Sequence, residues 1–173
     1  MSRPAAVTFK GTPMTLVGEA IQAGQAAPDF TCHKFEGGLK TISLADLKGK
    51  PTLISVVPSL DTGVCQKQTK LFNDELNALG DKVNAVTVSV DLPFAMNRFC
   101  GAEDIKNMKV MSDYQNRNFG TSYGMLIEEL KLLARGVFVL DADGKVVYSE
   151  TVPEVTSEPN YSATMTALKG LLA

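Results

Sequence analysis

The sequence predicts an α/β protein in which helices flank a mixed central β-sheet and an N-terminal β-hairpin precedes the sheet. Two apolar, β-branched runs, "PTLISVVPS" (51–59) and "NAVTVSV" (84–90), are typical of strands buried on both faces. A helical segment separates them, which indicates a βαβ unit and a parallel core. Residues 135–152 contain two β-forming runs around Asp-Ala-Asp-Gly, a strong hairpin signal that adds an antiparallel edge.

The segments before the first buried strand predict short β structure. Residues 7–18, "VTFKGTPMTLVG", alternate in polarity and carry a Gly-Thr-Pro break, so we expect the N-terminal hairpin there. Residues 24–50 mix short strand-like pieces with turns. The helix of the βαβ unit is expected over about 62–79, directly after a run of capping and turn residues.

The remaining segments complete the layers. Residues 91–105 are expected to be irregular or a short helix after a proline turn, and residues 117–125 a short helix and loop. Residues 156–173 have a serine cap and an early proline, which predict a terminal helix. Its apolar spacing is set by Tyr161, Met165, Leu168 and Leu172. We therefore expect one domain over 1–173 with the layered arrangement of a thioredoxin-like fold.

Composition narrows the possible functions. The chain has 173 residues, 45% of them hydrophobic and 21% charged, as in a soluble globular protein with a sizeable core. Its net charge of −2 and the lack of a basic stripe argue against nucleic-acid binding. No apolar run has the length needed to cross a bilayer, and the N-terminal residues lack the apolar region of a secretory signal. We expect no membrane association and a cytoplasmic location.

One cysteine lies where a helix can activate it. In "PSLDTGVCQKQTKLF" (58–72), Cys65 falls in the first turn of the predicted helix, behind good capping residues. The capping candidates are Ser59, Asp61 and Thr62. Unpaired backbone N–H groups and the positive end of the helix dipole stabilise a thiolate at this position. Helical spacing places the sulfur on the buried face of the helix, together with Phe72, Leu76 and Leu79.

The other two cysteines differ in their expected roles. Cys100 lies in a polar stretch, "NRFCGAED", that we expect to be exposed near the end of the second buried strand. If the two buried strands pair in parallel, Cys65 and Cys100 lie at the same edge of the sheet, where local movement permits a disulfide. Cys32 has no such placement, and we expect it to be buried and inert.

Spacing weighs against several other kinds of thiol site. There is no C-x-x-C pair, so a dithiol of the thioredoxin type is not indicated. The single histidine, His33, adjoins Cys32 in a polar stretch, and neighbouring strand residues point to opposite faces, so no metal site is expected. A Cys–His hydrolase pair between His33 and Cys65 stays possible with little support.

Four segments together resemble one known family. "PSLDTGVC" contains P-x-x-x-T-x-x-C, which resembles the active-site loop of peroxiredoxins. Together with "DLPFAMNRFCGAE", "ARGVFVLD" and "SEPNYSA", it resembles the bacterial thiol peroxidases, peroxiredoxins of the atypical two-cysteine type. The resemblance extends over essentially the whole chain.

The resemblance implies a role for five residues. Cys65 corresponds to the peroxidatic cysteine, whose thiolate attacks the peroxide and becomes a sulfenic acid. Cys100 corresponds to the resolving cysteine, which then forms a disulfide within the same chain. Thr62 corresponds to the hydroxyl that hydrogen-bonds the thiolate and the peroxide, Pro58 to the residue that shields the sulfur from water, and Arg135 to the guanidinium that steadies the negative charge.

The resemblance also implies the reaction partners. Hydrogen peroxide and alkyl hydroperoxides are the expected substrates, a thioredoxin-type reductant reopens the disulfide, no cofactor is needed and the chain forms a homodimer. The residues themselves leave two alternatives open, a thiol–disulfide oxidoreductase acting on proteins and a non-enzymatic redox sensor or binding module. Spacing alone does not choose Arg135 among the arginines, and it leaves open a plain cap role for Thr62 and a surface ion pair for Arg135.

Overall fold

A seven-stranded mixed sheet forms the centre of the fold in a computed structural model that describes residues 1–173. In chain order its strands are β3 (Thr31–Phe35), β4 (Leu39–Ser43), β5 (Thr52–Val56), β6 (Asn84–Ser89), β7 (Lys109–Ser112), β9 (Gly136–Leu140) and β10 (Val146–Thr151). Across the sheet the order is β10-β9-β5-β6-β7-β3-β4. The strands β5, β6 and β7 are parallel and the other pairings are antiparallel, which confirms the predicted mixed sheet.

The N-terminal hairpin is confirmed and belongs to a second, three-stranded sheet. Its strands are β1 (Ser2–Phe9), β2 (Thr12–Val17) and the short β8 (Leu126–Ile127). The turn lies at Lys10 and Gly11, whose positive φ angles of 50° and 80° suit a two-residue hairpin connection. The expected Gly-Thr-Pro break is therefore wrong in detail, because the threonine and the proline already belong to β2.

Four α-helices complete the fold, and none is long and apolar enough to cross a membrane. They are α1 (Gly63–Leu76), α2 (Pro93–Ala102), α3 (Asn118–Ser122) and α4 (Tyr161–Gly170). The terminal helix α4 begins later than predicted, because Asn160 and not a serine caps it, accepting a 2.9 Å hydrogen bond from the Ala163 amide. Met165 and Leu168 of α4 are buried as the spacing predicted.

Parallel pairing of β5 with β6 brings the two cysteine-bearing helices to one edge of the sheet. The chain leaves the carboxyl end of β5 towards α1, which carries Cys65, and the carboxyl end of β6 towards α2, which carries Cys100. β9 runs antiparallel to β5 with Gly136 opposite Val56, so the residue before β9, Arg135, lies at this same edge. Carboxyl ends of parallel strands are where α/β sheets place their ligands.

The buried apolar residues divide into three clusters. The largest contains 23 buried residues and the second contains 11, among them Phe72 and Leu76 of α1 and Leu168 of α4. The third is small and lies at the edge described above; its members are Val57, Leu60, Cys65 and Met96. Met96 belongs to α2, so this third cluster packs the start of α1 against α2.

Candidate active site around Cys65

Two hydrogen-bond donors converge on the sulfur of Cys65, which is completely buried in the first turn of α1. The Thr62 hydroxyl lies 2.6 Å from Sγ, and Nη2 of Arg135 lies 3.3 Å from it. Such donors favour a negatively charged sulfur, because charge-assisted hydrogen bonds are stronger than neutral ones. The start of α1 adds the positive end of its dipole. The arrangement suits a stabilised, nucleophilic thiolate.

Thr62 occupies the N-cap position of α1, but its side chain makes no capping hydrogen bond. Its hydroxyl has two acceptors within reach, the sulfur of Cys65 and the carbonyl of Ser59 at 3.1 Å. Thr62 is therefore the N-cap residue by position, and its hydroxyl contacts the sulfur and the Ser59 carbonyl instead of a helix amide. Because the hydroxyl carries one proton, it donates to one acceptor at a time.

Arg135 is a buried cation that makes three side-chain hydrogen bonds. Only 2% of the residue is exposed. Nε donates to the Val155 carbonyl at 2.7 Å, Nη1 to the amide oxygen of Gln68 at 2.9 Å, and Nη2 to the sulfur of Cys65. None of these acceptors is a carboxylate, so the alternative of a surface ion pair is wrong. A buried charge is costly without compensation, and a thiolate at Cys65 would provide it.

Gln68 is a member of the site that the sequence argument missed. It is fully buried one turn after Cys65 on the same face of α1. Its amide nitrogen donates to the Ser55 hydroxyl on β5 at 2.8 Å, and its amide oxygen accepts from Arg135. Gln68 thus fixes the guanidinium relative to the sheet. A polar side chain at a buried helical position was the signal that could have identified it.

A pocket of about 120 Å³ opens beside these groups. It is lined by Pro58, Thr62 and Arg135, so the residues that contact the sulfur also face the cavity. Pro58 is buried. The apolar part of the wall comes from Phe9, Val64, Leu132 and Val155. The segment "PFAMNRF" does not line the pocket; its Met96 packs against Cys65 in the third cluster, and its Phe94 is exposed.

Cys100 lies outside the group of residues that contacts Cys65. It is a free thiol on α2, and the expectation that it is exposed is wrong, because it is partly buried against the second apolar cluster. Burial raises the pKa of Cys100 from 9.0 to about 11. In this arrangement Cys100 is a protonated, slowly reacting thiol at neutral pH.

The raised pKa predicts how Cys100 reacts with an alkylating agent. Because the pKa is displaced upwards from 9.0 to about 11, the thiolate fraction near pH 8 falls about 100-fold, and alkylation slows accordingly. Iodoacetamide labelling of the reduced protein is followed for each cysteine peptide by mass spectrometry. The labelling rate of Cys100 should rise about tenfold per pH unit until the pH reaches about 11. A plateau near pH 9, as expected for the urea-unfolded chain, would contradict this.

Cys32 and His33 do not form a site. Cys32 is completely buried, and its sulfur lies 3.8 Å from a carboxylate oxygen of Asp113. Burial first, and then the charge of Asp113, raise the pKa of the Cys32 thiol. His33 lies on strand β3; it is partly exposed and its ring packs edge-on against Tyr114.

Comparisons with known proteins point to one family. Residues 22–165 match the family model described as Redoxin. A thiol peroxidase of Bacillus subtilis is 53% identical over 97% of this chain and 99% of its own length. A thiol peroxidase of Staphylococcus aureus is 48% identical over 95% of this chain and 98% of its own length.

Solved structures show the same fold. A peroxiredoxin-like protein from Aquifex aeolicus superposes with a TM-score of 0.87 at 40% identity, over 97% of this chain and 98% of the other. A thiol peroxidase from Chromobacterium violaceum superposes with a TM-score of 0.83 at 19% identity, over 95% of each chain. The latter likeness concerns the fold alone.

Proposed function

The chain belongs to the redoxin family, as a peroxiredoxin of the thiol peroxidase group, and from this premise we propose how its residues reduce hydroperoxides. The observation that carries the proposal is the contact of Cys65 with the Thr62 hydroxyl and with a buried guanidinium that has no carboxylate partner. Such a site stabilises a thiolate and, equally, the negative charge that develops on a peroxide oxygen.

The first step is a displacement at the peroxide bond. The Cys65 thiolate attacks the terminal peroxide oxygen, the O–O bond breaks, and the sulfur becomes a sulfenic acid. The departing oxygen takes a proton and leaves as water or an alcohol. We propose that Thr62 and Arg135, which line the pocket, donate to the reacting oxygens, and that Pro58, which also lines it, helps to keep water from the sulfur.

The second step requires movement of both cysteines. The Cys100 thiol attacks the sulfenic acid, an intrachain disulfide forms and water leaves. Cys65 is completely buried and Cys100 is packed on α2, so the start of α1 must open first. Helix ends open at low cost in free energy. Oxidation should therefore unwind the first turn of α1.

The apolar wall of the pocket supports the proposal that hydroperoxides with an apolar substituent are substrates as well as hydrogen peroxide. The surface that its wall exposes is apolar, and it comes from the hairpin, from α1 and from the loops before β9 and after β10. An alkyl group in the pocket would remove apolar surface from water, and this burial favours its binding. The volume of about 120 Å³ limits the part of the substrate that fits without movement.

Recycling needs a dithiol from outside the chain. The chain has no C-x-x-C pair, so we propose that a thioredoxin-type reductant reopens the Cys65–Cys100 disulfide by exchange. Such reductants keep thiols reduced in the cytoplasm, which is the compartment we propose. A homodimer, as the family resemblance implies, is proposed as the working form.

A peptide map tests the proposal directly. One equivalent of hydroperoxide is added to the reduced protein, which is then digested without a reductant. We expect an intrachain link between Cys65 and Cys100, with Cys32 left as a free thiol because it is completely buried. A link that involves Cys32, or no rapid oxidation, would contradict the proposed cycle and favour the sensor or binding-module alternative.

A further inference from the structure

We propose that Asp91 is a positioning residue that holds the loop before α1 closed and so keeps Cys65 in the peroxide-reactive arrangement. This inference rests on the proposed function and extends it to the balance between peroxide attack and disulfide formation. Asp91 touches neither the sulfur nor the pocket; it acts through the turn that precedes Cys65.

The carboxylate of Asp91 joins two strand ends. Asp91 follows β6, and its Oδ1 accepts from the hydroxyl of Ser59 at 2.7 Å. Its Oδ2 accepts from the Leu60 amide at 2.7 Å and from the Ser89 hydroxyl at 2.6 Å. Ser59 and Leu60 belong to the loop after β5, so one side chain connects this loop to the neighbouring strand.

The held turn fixes the groups around the sulfur. The carbonyl of Ser59 accepts from the Thr62 amide at 3.2 Å and lies 3.1 Å from the Thr62 hydroxyl. That hydroxyl also contacts the sulfur of Cys65. Leu60, whose amide the carboxylate holds, is 2% exposed and packs with Cys65 in the third cluster. Displacement of the turn would therefore disturb both the donor to the sulfur and the apolar cover over it.

Asp91 also lies at the start of the other moving element. The next residue, Leu92, is the N-cap of α2, and Cys100 lies in the same helix. The hydrogen bonds of Asp91 thus connect the chain segments that carry the two reacting cysteines. Opening of the Cys65 loop away from α2 requires these bonds to break. Their strength sets the ratio of closed to open molecules, because a shift in population follows the difference in contacts between two states.

The closed and open states lead to different products. In the closed state, a Cys65 sulfenic acid stays in the pocket, where a second hydroperoxide can oxidise it to a sulfinic acid and leave as water or an alcohol. In the open state, the sulfenic acid meets the Cys100 thiol and forms the disulfide. Loss of the Asp91 contacts should slow the first oxidation and protect the sulfur from the second.

The test compares three variants with the wild type. Asp91→Ala should lower the second-order rate of sulfenic acid formation about tenfold and reduce the sulfinic fraction at high peroxide at least about threefold. Asp91→Asn keeps the shape and one acceptor oxygen, so it should give intermediate values. Ser59→Ala removes one donor and leaves the carboxylate in place; it should shift both quantities in the same direction, and it serves if Asp91→Ala does not fold.

Asp141→Ala is the matched control. Asp141 follows β9 at the opposite end from Arg135, and its carboxylate accepts from the Asp143 and Lys145 amides at 3.0 and 2.9 Å. The Asp141→Ala variant loses a comparable turn contact far from Cys65. Its rate of sulfenic acid formation and its sulfinic fraction should therefore match those of the wild type. Stopped-flow traces give the oxidation rate, and intact mass gives the ratio of disulfide to sulfinic acid.

The outcomes separate the two proposals. Normal oxidation of the wild type, with Asp91→Ala and Ser59→Ala unchanged in rate and in sulfinic fraction, overturns the role of Asp91 alone. Equal shifts in Asp141→Ala also overturn it, because the effect would then be general loss of stability. A wild type whose Cys65 does not react with peroxide overturns the proposed function, and the role of Asp91 with it.

Discussion

Replacing Cys65 by serine is expected to abolish peroxide reduction, with a loss of at least about 10³-fold, as for other enzymes that lose their nucleophile. The reason is chemical, since a thiolate attacks a peroxide oxygen and a serine hydroxyl, which stays protonated at neutral pH, does not. Serine preserves the shape of the site, and Thr62 can still donate to its oxygen. Consumption of hydroperoxide in the presence of a thioredoxin system measures the loss.

Two further cysteine variants make this result specific. Cys32→Ala should retain full turnover, because Cys32 contacts Asp113 and does not line the pocket. Cys100→Ser should still undergo the first oxidation and accumulate a sulfenic acid that dimedone traps. If Cys100→Ser instead abolished that first oxidation while Cys65→Ser retained it, the proposed roles of the two cysteines would be reversed.

The second large effect is expected for Arg135→Lys, which keeps the charge and removes the planar fork. The guanidinium donates to three separate acceptors, and a single ammonium group on a shorter reach cannot satisfy them together. Loss of one charge-assisted hydrogen bond, about 1.5–3 kcal/mol, corresponds to about a 10- to 150-fold slower reaction of Cys65 with peroxide. Stopped-flow oxidation of the reduced variant measures this rate.

Arg98→Lys is the control for this substitution. Arg98 lies on α2 with an exposed side chain, so the same exchange there should leave the rate unchanged. Urea unfolding of both variants separates a loss of stability from a loss of reactivity. A rate for Arg135→Lys within a factor of two of the wild type would show that charge alone, without the fixed geometry, is sufficient.

The sequence predicted the central elements because their signals are local and strong. Continuous apolar runs identified β5 and β6, and the capping residues located the start of α1 to within one residue of Gly63. The strand β7 was missed, because it has only four residues, and it lies between irregular segments. Cys65 was expected to face inward from helical spacing, and it is completely buried.

The finer structure of the site depends on contacts between distant residues. Arg135 meets Cys65 because β9 pairs antiparallel with β5, and no local pattern predicts that pairing partner. The role of Gln68 depends on its hydrogen bond with Arg135, a residue that is distant in the sequence. Cys100 was expected to be exposed from its polar neighbours in the sequence, yet packing against the second apolar cluster covers part of it. The proposed roles of all five site residues stay predictions; these residues are Cys65, Cys100, Thr62, Arg135 and Pro58.

Arg135 donates to a carbonyl, an amide oxygen and a sulfur but to no carboxylate, and this bears on the direction of the proposed cycle. In the proposed reaction the attacking form of Cys65 is a thiolate, and its charge would face the buried guanidinium across the 3.3 Å contact. Under the proposed chemistry, peroxide turns that sulfur into a neutral group, and the buried guanidinium loses the negative charge it contacts directly. The oxidised site is then electrostatically strained, and opening to water relieves the strain. We therefore expect the charge that prepares the sulfur for attack also to favour opening of the reacted site towards Cys100.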